Sequence, residues 1–76
     1  PSARMKVLED NIMLALLRFP YGISTNDLIA EVYRGAKEPE HAKSCIWVSI
    51  HRLNRTLKGC QIRFTWRKKR YQLWFE

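Results

Sequence analysis

The spacing of apolar residues changes character some three quarters of the way along the chain. Ile46, Ile50, Leu53 and Leu57 recur at spacings of 4, 3 and 4, which at roughly 100° per residue draws a single apolar stripe on a helix. Beyond Gly59 the apolar positions alternate instead: Ile62, Phe64 and Trp66 are separated by Arg63 and Thr65, and Tyr71, Leu73 and Phe75 by Gln72 and Trp74. A period of two belongs to half-buried strands, so this segment predicts a β-hairpin with residues 67–70 at its tip.

Upstream the pattern is helical. Leu8, Ile12, Ala15, Leu16 and Phe19 share one face of a helix expected from about Met5 to Arg18, while Met13, Leu14 and Leu17 lie elsewhere around it. A helix apolar on two sides is either sandwiched between other elements or dimeric, and in a chain this small the sandwich is the expectation. Phe19 to Gly22 reads as a turn. Ser24, followed three residues later by Asp27, resembles a capping pair ahead of Leu28, Ile29, Val32 and Tyr33, which predicts a second helix ending near Arg34 and Gly35. Pro39 suits a first helical turn and Gly59 the residue just past an end, so the third helix is expected over about 39–58. The short link from Gly35 to Pro39 makes helices two and three neighbours, as in a helix-turn-helix arrangement. The fold class expected is α+β, three helices followed by a two-stranded hairpin.

The third helix carries the candidate chemistry. Opposite its apolar stripe the projection gathers His41, Ser44, Val48, His51, Arg52 and Arg55, with Trp47 and Lys58 on the flank. A face that is basic, acid-free and partly apolar offers donors for guanine or phosphate beside a side chain able to touch a thymine methyl, which is what a helix in the DNA major groove needs. The competing reading is a basic solvated helix with Trp47 and Val48 half buried against a neighbour.

Charge favours the first reading. The chain has 76 residues and a net charge of +7. Residues 1–40 hold five basic and six acidic side chains, whereas His41 to Phe75 hold nine basic and none acidic. Charge so one-sided is the footprint of a binder of polyanions. Four consecutive cations, Arg67, Lys68, Lys69 and Arg70, sit where turns favour Gly, Asn or Asp; they either solubilise a loop tip and discourage edge pairing or grip phosphates or a minor groove. An anionic membrane would also attract this charge, but the apolar face such a helix would insert is taken by the core stripe. Trp74, off the core face, either packs on the first helix or marks a partner surface.

Other functions find less support. Cys45 and Cys60, one within the helix and one just past its end, are separated by roughly 22 Å at ~1.5 Å per residue, too far for a disulfide, so reduced thiols and a reducing compartment are expected. His41 and Cys45 share a helix face, but no second ligand pair with metal spacing accompanies them, and no metal or cofactor is expected. Two histidines without paired carboxylates and without a glycine-rich phosphate loop do not assemble a reacting site, so the expectation is not an enzyme. At this length the chain is expected to be one domain over 1–76, with residues 1–4 a disordered tail or a cloning remnant.

Three helices followed by a hairpin is the winged helix-turn-helix order. Within it, Ile46-Trp47-Val48-Ser49-Ile50-His51-Arg52-Leu53-Asn54-Arg55-Thr56-Leu57 resembles the V-D-V-H-I-x-R-L-R-x-K-L recognition helix of OmpR/PhoB-type response regulator effector domains. Ile23-Ser24-x-x-Asp27-Leu28 is similar to their second-helix start, and Thr65-Trp66-Arg67 with Tyr71-x-Leu73 resembles their T-V-R-G-x-G-Y-x-L wing. The likeness covers most of residues 8–75, without a receiver domain. Trp47 replaces the family Asp, Asn54 an Arg, and Lys68 and Arg70 the two wing glycines. The resemblance implies double-stranded DNA as partner, transcriptional regulation, a cytoplasmic or nucleoid location, and a homodimer arranged head to tail on DNA. It further implies contacts from Ser44, Trp47, Val48, Ser49, His51, Arg52 and Asn54, and from Arg67 and its neighbours, to which the charge pattern adds Arg55 and Lys58. Two alternatives remain: a protein-interaction module using Trp47, Val48 and Trp74, and a domain that binds duplex RNA or a DNA end within a larger nucleic-acid-processing protein.

Overall fold

The computed structural model describes residues 3–76. Helix α1 (Ala3–Arg18) is followed by a short strand β1 (Ile23–Ser24), helices α2 (Thr25–Val32) and α3 (Ala42–Thr56), and strands β2 (Cys60–Thr65) and β3 (Arg70–Phe75). The α+β class is as expected. The sheet, however, is antiparallel and three-stranded, in the order β1-β3-β2. Ala3 and Arg4 belong to α1 rather than to a tail, and residues 1–2 lie outside the described part.

The additional strand hides in a residue already read as a cap. Ser24 pairs with Arg70 across the sheet, and its hydroxyl also accepts the Asp27 N–H at 3.2 Å, capping α2. Extended backbone at Ser24 (φ −68°, ψ 160°) serves both purposes, since an N-cap residue adopts β-region dihedrals. The turn before it is tied to the sheet: Gln72 Nε2 donates to the Pro20 carbonyl at 2.9 Å. Gly22 has φ +103°, and a β-carbon there would lie 3.1 Å from Arg70 Cβ. A residue without a side chain is required both for the dihedral and for the approach of β3.

The two later helices are shorter than expected. α2 gives way at Tyr33, whose N–H still bonds the Ile29 carbonyl at 3.0 Å. Pro39 stands outside α3, whose N-cap is His41, and Leu57 is already extended at ψ 136°. Lys58 therefore lies in the link to β2, outside the helix. The Thr56 hydroxyl turns back to the Leu53 carbonyl at 3.1 Å, the local competition with helical hydrogen bonding that hydroxyl residues offer at helix ends.

Ile12, Leu16, Leu28 and Ile46 are the largest fully buried side chains, so all three helices meet at the centre. The sheet closes one side with Ile23, Ile62 and Leu73, flanked by Cys60 and Tyr71. Register places Cys60 opposite Phe75, Ile62 opposite Leu73 and Phe64 opposite Tyr71 on this inner face. No helix among the described residues is long and apolar enough to cross a membrane. Both cysteines are free thiols.

Candidate nucleic-acid interface

Rotation of α3 about its own axis decides what it presents. Ala42, Ile46, Ser49, Ile50 and Leu53 face inward, which leaves Ser44, Val48, His51 and Arg55 as an outward stripe, all exposed. Val48 is 45% exposed with no hydrogen-bonding group to satisfy. Neither α3 nor anything after it as far as Phe75 carries an acidic residue.

Two side chains hold this rotation from opposite flanks. On one flank Arg52 Nε bonds Glu9 Oε1 of α1 at 3.4 Å, with the arginine side chain still 45% exposed. On the other, the Asn54 amide lies along the edge of β2, accepting the Ile62 N–H at 2.8 Å and donating to the Ile62 carbonyl at 3.0 Å. Those two Ile62 groups point away from β3, and without Asn54 they would be the unpaired rim of an edge strand. An amide side chain placed there continues the ladder by one residue.

The structure therefore corrects part of the expected contact set. Asn54 is spent on Ile62, and Ser49 is only 3% exposed, because at roughly 100° per residue it falls on the same side as Ala42, Ile46 and Leu53. Ser49 is therefore closed to an outside partner, while Asn54, half-buried, lines the groove beside Trp47 and His51 with its amide engaged by Ile62. Arg70 is likewise not at a loop tip: it pairs with Thr65 and Ser24 in the sheet and lines a groove of about 260 Å³ with Asp27 and Glu31. The turn comprises residues 66–69. Trp66, Arg67, Lys68 and Lys69 are all exposed there, and Lys69 takes a left-handed φ of 53°.

Between α3 and the hairpin runs an aromatic groove. Trp47 and His51 border it from α3, Phe64 and Tyr71 from the strands, and Trp66 from the turn. Trp47 and His51 rings lie 4.1 Å apart; Phe64 meets Trp66 and Tyr71 edge-on at 4.9 and 4.8 Å. A second open groove of about 590 Å³ continues past Thr25, Lys43, Ser44, Val48 and Tyr71. Burial raises the Tyr71 phenol above the usual 10.0, partly offset by a hydrogen bond with Thr25, so near neutral pH it remains a hydrogen-bond donor. Thr25, Lys43, Trp66 and Tyr71 are absent from the sequence-based set. The alternation that put Trp66 and Tyr71 on the inner face of the hairpin was the signal that they border α3.

Trp74 stands apart from this site. It alternates along β3 with the buried Leu73, on the outer face of the sheet, where the Arg63 guanidinium sits 5.5 Å from its ring. Among the described residues no group of three or more His, Cys, Asp and Glu could hold a metal ion. Compared with protein-family models, curated proteins and solved structures, the chain matches none.

Proposed function

We propose that this domain is a winged helix-turn-helix module that binds duplex DNA in transcriptional regulation, with α3 in the major groove and the 66–69 turn on the flanking backbone or minor groove. The observation that carries the reading is the shared groove: Trp47 and His51 of α3 and Trp66 of the turn border one surface, so the exposed helix face and the cationic hairpin end flank a single concavity. Nine basic residues and no acidic ones between His41 and Phe75 give it the sign of charge that a phosphate backbone selects. Arg55 and His51 point donors outward beside Val48, which supplies the methyl groups that pack on thymine. Arg67, Lys68, Lys69 and Lys58 neutralise phosphates. Trp47, flanking the groove, packs on sugars rather than reading a base edge.

Fluorescence anisotropy on random-sequence and selected duplexes tests this. With about six phosphates engaged, log K falls against log[salt] with a slope near −5. Arg55→Ala and Lys68→Ala weaken binding without loss of stability, and a flat salt response would overturn the reading. Competition between DNA and RNA duplexes of one sequence decides which helix geometry the concavity takes.

A further inference from the structure

The groove between α3 and the hairpin is more aromatic than contact with a continuous duplex needs. Trp47 and His51 line it from the helix, Phe64 and Tyr71 from the strands and Trp66 from the turn, around about 300 Å³ of open space. Trp66 is 83% exposed and Trp47 56%, although a tryptophan is highly buried on average. Phe64 meets the Trp66 ring edge-on, with the two planes 81° apart, so the indole is propped by one neighbour while most of its surface stays open. Exposed aromatics occurring singly are ordinary; several rings around one concavity mark a contact surface.

Charge narrows what can fill it. Among the described residues no acidic side chain borders this groove or the one that continues it past Lys43 and Ser44, and Arg67, Lys68 and Lys69, all exposed, follow Trp66 directly in the turn. The complementary occupant joins flat π-faces to negative charge. Nucleic acid has both, but in a continuous duplex each base face is closed against its neighbour and only the edges reach the grooves. A base offers its face to an indole where it is unpaired. An aromatic platform beside cations that track a phosphate backbone is how single strands are held. His51 and Tyr71 also carry hydrogen-bonding groups, which suit the Watson–Crick edge that an unpaired base leaves free.

We propose that this groove holds an unpaired nucleotide adjoining the duplex, with its base stacked on Trp66, its sugar against Trp47 and its phosphate among Arg67, Lys68 and Lys69. The preferred partner is then a duplex that carries a single-stranded extension. The stacking site stands whatever α3 binds; its position beside a duplex rests on the reading of α3 as the helix in the major groove.

Fluorescence anisotropy with related probes tests this: a blunt duplex, the same duplex extended at its 3′ or its 5′ end by roughly four unpaired thymidines, the extended probe with abasic sites in place of those thymidines, and free oligothymidine. The thymidine extension of at least one polarity should bind at least about fivefold tighter than the blunt duplex. The abasic extension, with the same phosphates and no bases, should lose most of that gain. Trp66→Ala brings the ratio of extended to blunt affinity to about one, whereas Trp66→Phe keeps part of the advantage, because a phenyl ring still stacks. An extension bound no better than the blunt duplex at either polarity, or an abasic extension as good as thymidine, or an advantage indifferent to Trp66→Ala, would each overturn the proposal while leaving duplex binding intact. Extended probes and oligothymidine bound through Trp66, with the blunt duplex ignored, would uphold the stacking site and overturn the duplex reading instead; no binding of any probe would overturn both. Urea unfolding of each variant separates loss of stacking from loss of fold.

Discussion

Replacing Asn54 by Ala removes two hydrogen bonds, of 2.8 and 3.0 Å, that join α3 to the Ile62 backbone. Each such bond contributes about 0.5–1.5 kcal/mol net, so the loss is about 1–3 kcal/mol, towards the upper end if the Ile62 groups stay dry. For a domain of this size that lowers Tm by roughly 5–20 °C, and the urea midpoint falls with little change in slope. Asn54→Asp is the sharper probe. Aspartate can still accept the Ile62 N–H, but its second oxygen faces the Ile62 carbonyl, and two acceptors repel. Protonation turns that oxygen into a donor, so the folded state raises the pKa of the introduced acid. A raised folded pKa means stability present at low pH and lost as pH rises through it; Asn54→Asp is therefore more stable near pH 3 relative to the parent than it is at pH 7. If Asn54 instead contacted DNA, as the family resemblance implies, Asn54→Ala would leave the midpoint unchanged and weaken duplex binding. That pair of results would refute the account of how α3 is anchored.

Three further expectations follow from individual side chains. Lys69 holds a left-handed φ of 53°, a conformation costing an L-residue about 1–2 kcal/mol; after the extra chain entropy of glycine, Lys69→Gly should stabilise by roughly 0.5–1 kcal/mol in urea unfolding, and a loss of stability would contradict the turn geometry. Glu9→Gln breaks the pair that holds Arg52 against α1, so it should tighten duplex binding and steepen the salt slope by about 0.9 at a stability cost below about 1 kcal/mol; unchanged affinity would mean that Arg52 does not reach the nucleic acid. Burial is the main cause raising Tyr33 and Tyr71 above 10.0, with nearby Cys45 and Glu38 adding to Tyr33. Above about pH 10 the folded chain then keeps protons that the unfolded chain has released, and stability falls with rising pH. Tyr71→Phe should flatten that decline in urea midpoints taken across the range.

Periodicity made the framework legible, because burial imposes it directly: Ile46, Ile50 and Leu53 on α3, and Ile62 and Leu73 on the hairpin, are buried as their spacing requires. The same projection picked His41, Ser44, Val48, His51, Arg52 and Arg55, and all six are exposed, though Arg52 is paired with Glu9. The residues nominated by resemblance alone fared differently. Ser49 lies on the core side, and Asn54 is held by Ile62. Nothing in a one-dimensional pattern says that an amide at the edge of a helix stripe will meet an unpaired strand edge eight residues later, since that depends on how closely β2 passes α3. The two-residue β1 was equally hidden, for two residues are too few to show a period and Ser24 carries the signature of a cap.

Those two failures have one physical origin, and it bears on the proposed interface. Polar side chains on the margins of a helix stripe are drawn to whichever neighbour offers an unmet partner, so spacing alone cannot separate an outward donor from an internal tie. On α3 both margins are ties of this kind: Arg52 reaches Glu9 on one side, and Asn54 reaches Ile62 on the other. Rotating the helix by a quarter turn to bury His51 or Arg55 would break both at once and expose Ile46 and Ile50. The azimuth of α3 is thus set from two sides, by an ion pair to one element and an amide bridge to another. What those ties leave outermost is Ser44, Val48, His51 and Arg55, the stripe on which a groove-binding helix depends.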